Sequence, residues 1–327
     1  MRYSTIIIFI SLLIQGCKKH SGNPTPPTNA DVYVAGGYYN PNTGFGLKYW
    51  KNGIPTSLGD SSYLSVQCRG LAVSGEDIYV SANLSADTSS ADQISEYWKN
   101  GVVTILPKGI GISNIVVSDG DIYLASTDSA GRVGYWVNDS VVLLSNGSSN
   151  RMNASCIFVS GQTVYVGGNE AFPNVGWHPV YWLNSMATTL PSPMGSDCWV
   201  AAIFVSNSNV YLCGYDNGNA AYWTNEGETL LASSVSVLSE ANCIFISGND
   251  IYVGGFDGNF AVYWKNGKEV ELTNGVNYAL VNGIFISGND VYTAGVDNSR
   301  AVYWINGTRV ALPDSTQVAW ASAIVAQ

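Results

Sequence analysis

The sequence is poor in charge and nearly devoid of histidine. Only 12% of its 327 residues are Asp, Glu, Lys or Arg, and His20 and His178 are its two histidines. Fourteen basic residues against 24 acidic ones leave a formal charge of −10. A surface that neutralises nucleic-acid phosphates needs the opposite balance, so that partner class is excluded. Two histidines leave no room for a His-rich metal centre. No nucleophile elbow, phosphate loop or HExxH pattern is present. Beyond residue 14 no apolar run is long enough to span a bilayer as a helix. What the chain does have is 35 glycines and 12% aromatic residues, too much large apolar surface for a disordered chain.

The N-terminal segment reads as an address followed by a tether. Arg2 precedes an apolar run over residues 6–14, and Gln15-Gly16-Cys17 closes it. Such a run behind one positive charge is a secretory signal, too short for a transmembrane helix. With Leu13 upstream and small Gly16 before Cys17, the end resembles a bacterial lipoprotein box. The resemblance implies cleavage after Gly16 and a diacylglycerol on the Cys17 thiol. Several acyl chains anchor stably where one does not. Residues 18–30 carry three prolines and no large apolar side chain, which makes a solvated linker; His20 lies in it. The expected division is a signal peptide over 1–16, a lipidated, Pro-rich tether over 17–30 and a folded domain over 31–327. Lys18 rather than Asp follows Cys17, so the expected location is the outer membrane of a bacterial envelope.

The rest of the chain is one unit repeated. Tyr-Trp occurs at 49–50, 97–98, 135–136, 181–182, 222–223, 263–264 and 303–304, and two residues after each Trp stands Asn52, Asn100, Asn138, Asn184, Asn225, Asn266 or Asn306. Upstream in each unit lies a second tyrosine, from Tyr33 to Tyr292, and before it a short β-branched run such as Ile244-Phe245-Ile246-Ser247. Runs of that length, closed by Gly-Asn-Asp, are strands. Asn-Gly after the Trp suits a type I′ hairpin, because both residues tolerate positive φ. Each unit of about 40 residues is then a four-stranded antiparallel meander, the size of a propeller blade. The first complete unit opens on a second strand and residues 319–326 form a lone first strand. Pairing them with residues 31–35 closes a ring and removes its open edges. The expected fold is all-β, a seven-bladed propeller closed by its C-terminal strand, and a monomer.

The spacing from Tyr263-Trp264-Lys265-Asn266-Gly267 to Leu272 resembles Trp-containing bacterial propeller repeats, including the extracellular HAF type. That resemblance covers residues 31–327 in pattern and brings no catalytic residues with it. Gly is missing after Asn138, Asn184 and Asn225, which predicts other turns there. Cys156 and Cys243 share one strand position in two repeats and read as small buried residues; no disulfide is expected among the five cysteines of the domain.

Turns after the first and third strands are short, and they share one face of the disc. Longer connections after the second and fourth strands mark the opposite face as the place for function. Five positions after the second-strand tyrosine, that face carries Asp128, Glu170, Asp216, Asp257 and Asp297. Asp216, Asp257 and Asp297 are the candidates for a calcium ion, although Asp216-Asn217-Gly218 and Asp257-Gly258 equally suit turns; no other cofactor is expected. Trp199 and Trp320 occupy the same position at the start of two first strands, with Glu240 and Asn153 equivalent in other blades. Two residues on, Arg69, Ser113, Ser155, Ala201, Asn242, Asn282 and Ser322 form a mostly polar ring near the mouth of the central channel. Aromatic faces beside fixed polar groups suit sugars. Trp177 and His178 sit in what reads as an enlarged loop of blade 4.

Three functions compete. The leading one is an exported, lipid-anchored protein that binds a glycan or an envelope protein on the loop-rich face. The alternatives are a polysaccharide lyase or glycoside hydrolase, with His178, Glu240 or Arg69 in its chemistry, and a purely structural docking platform.

Overall fold

A computed structural model describes residues 30–85, 93–145, 151–192, 197–231, 238–313 and 318–327, with the side chains of 60 and 61 left aside. The signal segment, Cys17 and the tether up to residue 29 lie outside the described residues. The described strands form seven four-stranded antiparallel sheets, each a meander from an inner to an outer strand. Blade 6 is representative, with strands Ser239–Ser247, Asp250–Asp257, Phe260–Lys265 and Lys268–Glu271. Blade 1 takes its inner strand, Val318–Ala326, from the end of the chain and pairs it with Val32–Asn40. Asp31 and Gln327 exchange two backbone hydrogen bonds at 2.7 and 3.1 Å and complete the seam.

The Tyr-Trp pairs are core. Trp50, Trp182, Trp223, Trp264 and Trp304 are completely buried, and Trp98 and Trp136 nearly so. Packing between sheets accounts for them, and none stands free to stack on a sugar. Four phenylalanines of consecutive inner strands, Phe158, Phe204, Phe245 and Phe285, touch in series at centroid distances of 4.9, 4.9 and 5.2 Å.

The repeated asparagine now has a physical reason. In blade 6 Asn266 sits at φ 51°, the left-handed region that Asn tolerates. Its Oδ1 accepts from the Ile251 N–H at 2.9 Å and its Nδ2 donates to Asp250 at 2.8 Å. Lys265 joins the same carboxylate at 2.8 Å while covering the Tyr252 ring. Asn52 with Asp31, Asn100 with Asp77, Asn138 with Asp121 and Asn306 with Asp290 repeat the staple. Blades 4 and 5 have Thr163 and Asn209 where the Asp would stand. Of the three hairpins without Gly, two depart from the type I′ pattern as expected and the one at Asn184-Ser185 keeps it. Asn184 and Ser185 both take positive φ, Asn138 alone does in its turn, and neither Asn225 nor Glu226 does in blade 5.

Two loop expectations need correction. The connection after the second strand is not long in every blade: Asn217-Gly218, Gly258-Asn259 and Asn298-Ser299 are two-residue turns. In blade 4 the enlarged loop is a long hairpin. Thr163–Phe172 pairs with Gly176–Leu183 throughout, so Trp177 and His178 are strand residues opposite Ala171 and Glu170. Alternation of Trp, His and Pro with Val and Tyr hid a strand behind turn-forming residues.

Candidate functional site

All seven blades carry a β-bulge at one place, between the inner and second strands. The pairing skips Arg69, Ser155, Ala201, Asn242, Asn282 and Ser322, and in blade 3 both Ser113 and Asn114. An extra residue in one strand bends it and re-aims its side chain. The polar ring expected at the channel mouth is therefore the ring of bulged residues. Opposite the bulge five blades place a glycine. A Cβ on Gly36, Gly168, Gly214, Gly255 or Gly295 would come within 2 Å of a carbonyl oxygen of the bulged strand. Blades 2 and 3 have Ala82 and Ser126 there.

The bulges of blades 2 to 5 surround one cavity of about 340 Å³ at the mouth, lined by Arg69, Asn83, Gln93, Ser113, Thr127, Asn153, Ser155 and Trp199 with backbone between. Trp199 is 41% exposed, in contrast to the buried Trp of the repeats. Arg69 bonds one guanidinium nitrogen to Gln67 at 2.5 Å, and the enclosing wall lowers its pKa by desolvation. Asn153 donates to Ser155 Oγ at 2.9 Å, while its buried Oδ1 has no donor among the described residues. A groove of about 510 Å³ continues the cavity outward; the two share Gln93, Gly111 and Thr127, and the groove runs past Lys108 and Asp128.

Two wall residues, Asn83 and Thr127, and the fully buried Asn169 beside them were not foreseen from the sequence. Asn83 accepts from the Ile112 N–H at 3.2 Å and donates to its carbonyl at 2.8 Å. Thr127 accepts from the Ala154 N–H at 2.9 Å, and Asn169 from the Val200 N–H at 2.9 Å. Each stands four residues after its second-strand tyrosine and pins the bulged strand of the next blade. In blades 5, 6 and 7 Tyr215, Phe256 and Val296 hold that position. A polar residue at that offset in three consecutive units was the available signal.

Other candidates are placed differently. Trp320 does not share the cavity; its ring lies over Gly37 and 6.1 Å from Phe45, within blade 1. Asn242 and Asn282 donate to Val281 O and Ala321 O at 2.9 and 2.8 Å, joining each blade to the next. Glu240 stands outside the cavity lining, and burial raises its pKa. Trp177 lies under the Arg151 guanidinium at 5.8 Å. His178 holds Ser192 Oγ at 3.0 Å through Nδ1 and meets the Phe172 ring edge-on. Neither joins the mouth cavity.

The acidic positions serve their own blades. Asp128 is paired with Arg132 and Asp297 with Arg309. Asp216 and Asp257 are buried. Among the described residues no three carboxylate, His or Cys side chains converge as a metal site. Glu228, opposite Trp223, faces Asp216, and burial with that neighbouring carboxylate raises its pKa to about 7. The five cysteines of the domain are free and buried. A separate cavity of about 320 Å³ lies on the tight-turn face between blades 5 and 6, lined by Tyr211, Tyr222, Asn225 and Ile251. It occurs beside blade 5, one of the two blades whose asparagine makes no staple.

No family model matches the chain, and no curated protein matches it. Among solved structures it is similar to the computationally designed Ika8 protein, at 15% identity and a TM-score of 0.46 over 84% of this chain and 77% of that one. It is also similar to U3-55K, at 17% identity and a TM-score of 0.49 over 73% of this chain and 77% of that one. At such identity nothing about ligands or partners carries over.

Proposed function

We propose that this propeller is an extracytoplasmic binding protein, tethered to a bacterial outer membrane through lipidated Cys17, whose channel mouth holds a glycan. The observation that carries the reading is Trp199, an exposed indole set in a cavity of amides and hydroxyls. An aromatic face covers the C–H face of a pyranose while fixed polar groups order its hydroxyls. The groove beyond Gln93 suits a chain longer than one sugar. Among the described residues lining the mouth cavity, as distinct from the groove, only Arg69 carries a charge, and a guanidinium is a poor proton acceptor at neutral pH. Holding a ligand, rather than cleaving it, is the chemistry these residues support. Titrating the full chain with an oligosaccharide panel tests the reading: saturable binding should drop at least tenfold in Trp199→Ala. Unchanged affinity in that variant would remove the site from the mouth.

A docking platform is the second reading, because the outer strands of blades 1 to 5 expose Ile54, Val102, Ile105, Val141, Met186 and Leu230. Large apolar side chains facing solvent along a rim mark contact surfaces. Loss of a stoichiometric envelope partner from the Val102→Ser, Ile105→Ser double variant, with sugar binding intact, would favour it.

A further inference from the structure

The mouth holds a guanidinium that no carboxylate among the described residues neutralises. The chain is acidic overall, yet Arg69 forms no ion pair among the described residues, whereas Lys51, Lys99, Arg132, Lys265 and Arg309 each hold a carboxylate. It is the one charged residue among the described residues lining the cavity. Its neighbour Cys68 supplies no counter-charge, since burial pushes that thiol up to about 12. The bulge between Cys68 and Gly70 aims the side chain inward, and Gln67 holds one guanidinium nitrogen. The remaining N–H groups form a planar donor edge of the kind that takes a carboxylate in two parallel hydrogen bonds. The same cavity offers the Ser155 side chain and the exposed Trp199 face.

We infer that the cavity selects an acidic sugar, a uronic acid residue whose carboxylate meets Arg69 while the pyranose face rests on Trp199. A neutral sugar would forgo the paired, charge-assisted hydrogen bonds that this exposed guanidinium offers a carboxylate. The inference rests on the glycan reading above and adds the charge of the ligand to it.

The test uses the full chain and calorimetric titration with three probes of equal length: tri-galacturonate, its methyl ester and a sulfated neutral trisaccharide. The acid should bind at least tenfold more tightly than the ester, with an affinity that falls as salt rises. Arg69→Gln should abolish the preference for acid over ester, and Arg69→Lys should recover part of it. The comparison of acid with ester on the unaltered protein needs no variant to fold. Equal affinity for acid and ester, both lost in Trp199→Ala, would overturn the charge inference and leave the glycan site standing. Preference for the sulfated probe would overturn the carboxylate assignment. Absence of binding to all three, alongside binding of an unrelated neutral glycan, would overturn the inference alone. Absence of any glycan binding would overturn both.

Discussion

The two faces of the disc obey different rules. On the tight-turn face side-chain identity repeats, and the Asn–Asp staple recurs in five blades with Nδ2–carboxylate distances of 2.7 or 2.8 Å. At the channel mouth only the backbone repeats. The same bulge occurs in every blade, but it presents Arg, Ser, Ala or Asn in turn. Asparagine is needed where a side chain must stand in for a missing ladder bond. At the bulge the burden falls on the facing glycine, so the bulged residue is released from folding duty in part of the ring. Asn242 and Asn282 still join blades; Arg69 does not. Chemistry is therefore available where the backbone alone carries the fold.

The strongest way to probe that division is to truncate one tryptophan of each kind. Trp264 is fully buried and donates to Glu269 at 3.1 Å, so Trp264→Ala should cost about 3–5 kcal/mol in chemical denaturation. Trp199→Ala removes a half-exposed ring and should shift stability by only about 0.5 kcal/mol. Comparable losses in the two variants would mean that Trp199 is a packing residue and that the mouth is no freer than the core.

A smaller loss is expected at the glycines that permit the bulge. A Cβ on Gly255 would stand 1.8 Å from Glu240 O, so the strand must shift. Gly255→Ala should cost about 1–3 kcal/mol, the usual range for overpacking, and less if the strand relaxes to the arrangement that Ala82 tolerates in blade 2. Denaturation midpoints read the cost. A neutral result would show that the bulge, and not the glycine, is the primary feature.

Much of this was legible because one pattern was written seven times. Tyr-Trp-x-Asn marked third strands and hairpins, and the split first blade announced closure. The polar ring was visible as a list of positions but not as a bulge, since a one-residue insertion leaves strand alternation broken at a single point. Thr127, Asn83 and the buried Asn169 were passed over because three blades put Tyr, Phe or Val at the same offset. Trp199 and Trp320 looked equivalent by position. What separates them is a neighbour: Gly37 gives Trp320 a floor within its own blade, and at the corresponding place in blade 5 stands Tyr215. Pairwise relations of that kind between strands do not show as a motif.

Blade 5 departs from the others at both ends, and pH exposes one departure. In blade 7 Arg309 reaches Asp297, whereas in blade 5 Glu228 faces Asp216. Glu228 is raised from 4.5 to about 7 in the folded protein. A carboxyl raised on folding favours the protonated form, so its contribution is complete below pH 4.5 and disappears as pH climbs through 7. Stability should fall between pH 5 and 8 by on the order of 1–2 kcal/mol, the unit-by-unit value reduced for solvent screening. Glu240 and Glu96, raised by burial, act in the same direction. Melting temperature across that range should flatten in Glu228→Gln. An equally steep profile in the variant would assign the slope to the other two carboxyls.

The finest distinction is between two asparagines that look alike in sequence. Asn266 bridges Ile251 N–H and Asp250, and Asn266→Ala leaves a strand-end N–H and a carboxylate without their partner. The cost should be about 1 kcal/mol, the net value of a partly exposed hydrogen-bonded amide. Asn225 holds the same place after Tyr222-Trp223, yet its turn lacks positive φ and Asn209 replaces the Asp. Its Oδ1 accepts only a long 3.4 Å bond from Tyr181. Asn225→Ala should therefore change the unfolding midpoint by less than Asn266→Ala under identical conditions. If both cost the same, the staple on the tight-turn face contributes nothing of its own to stability.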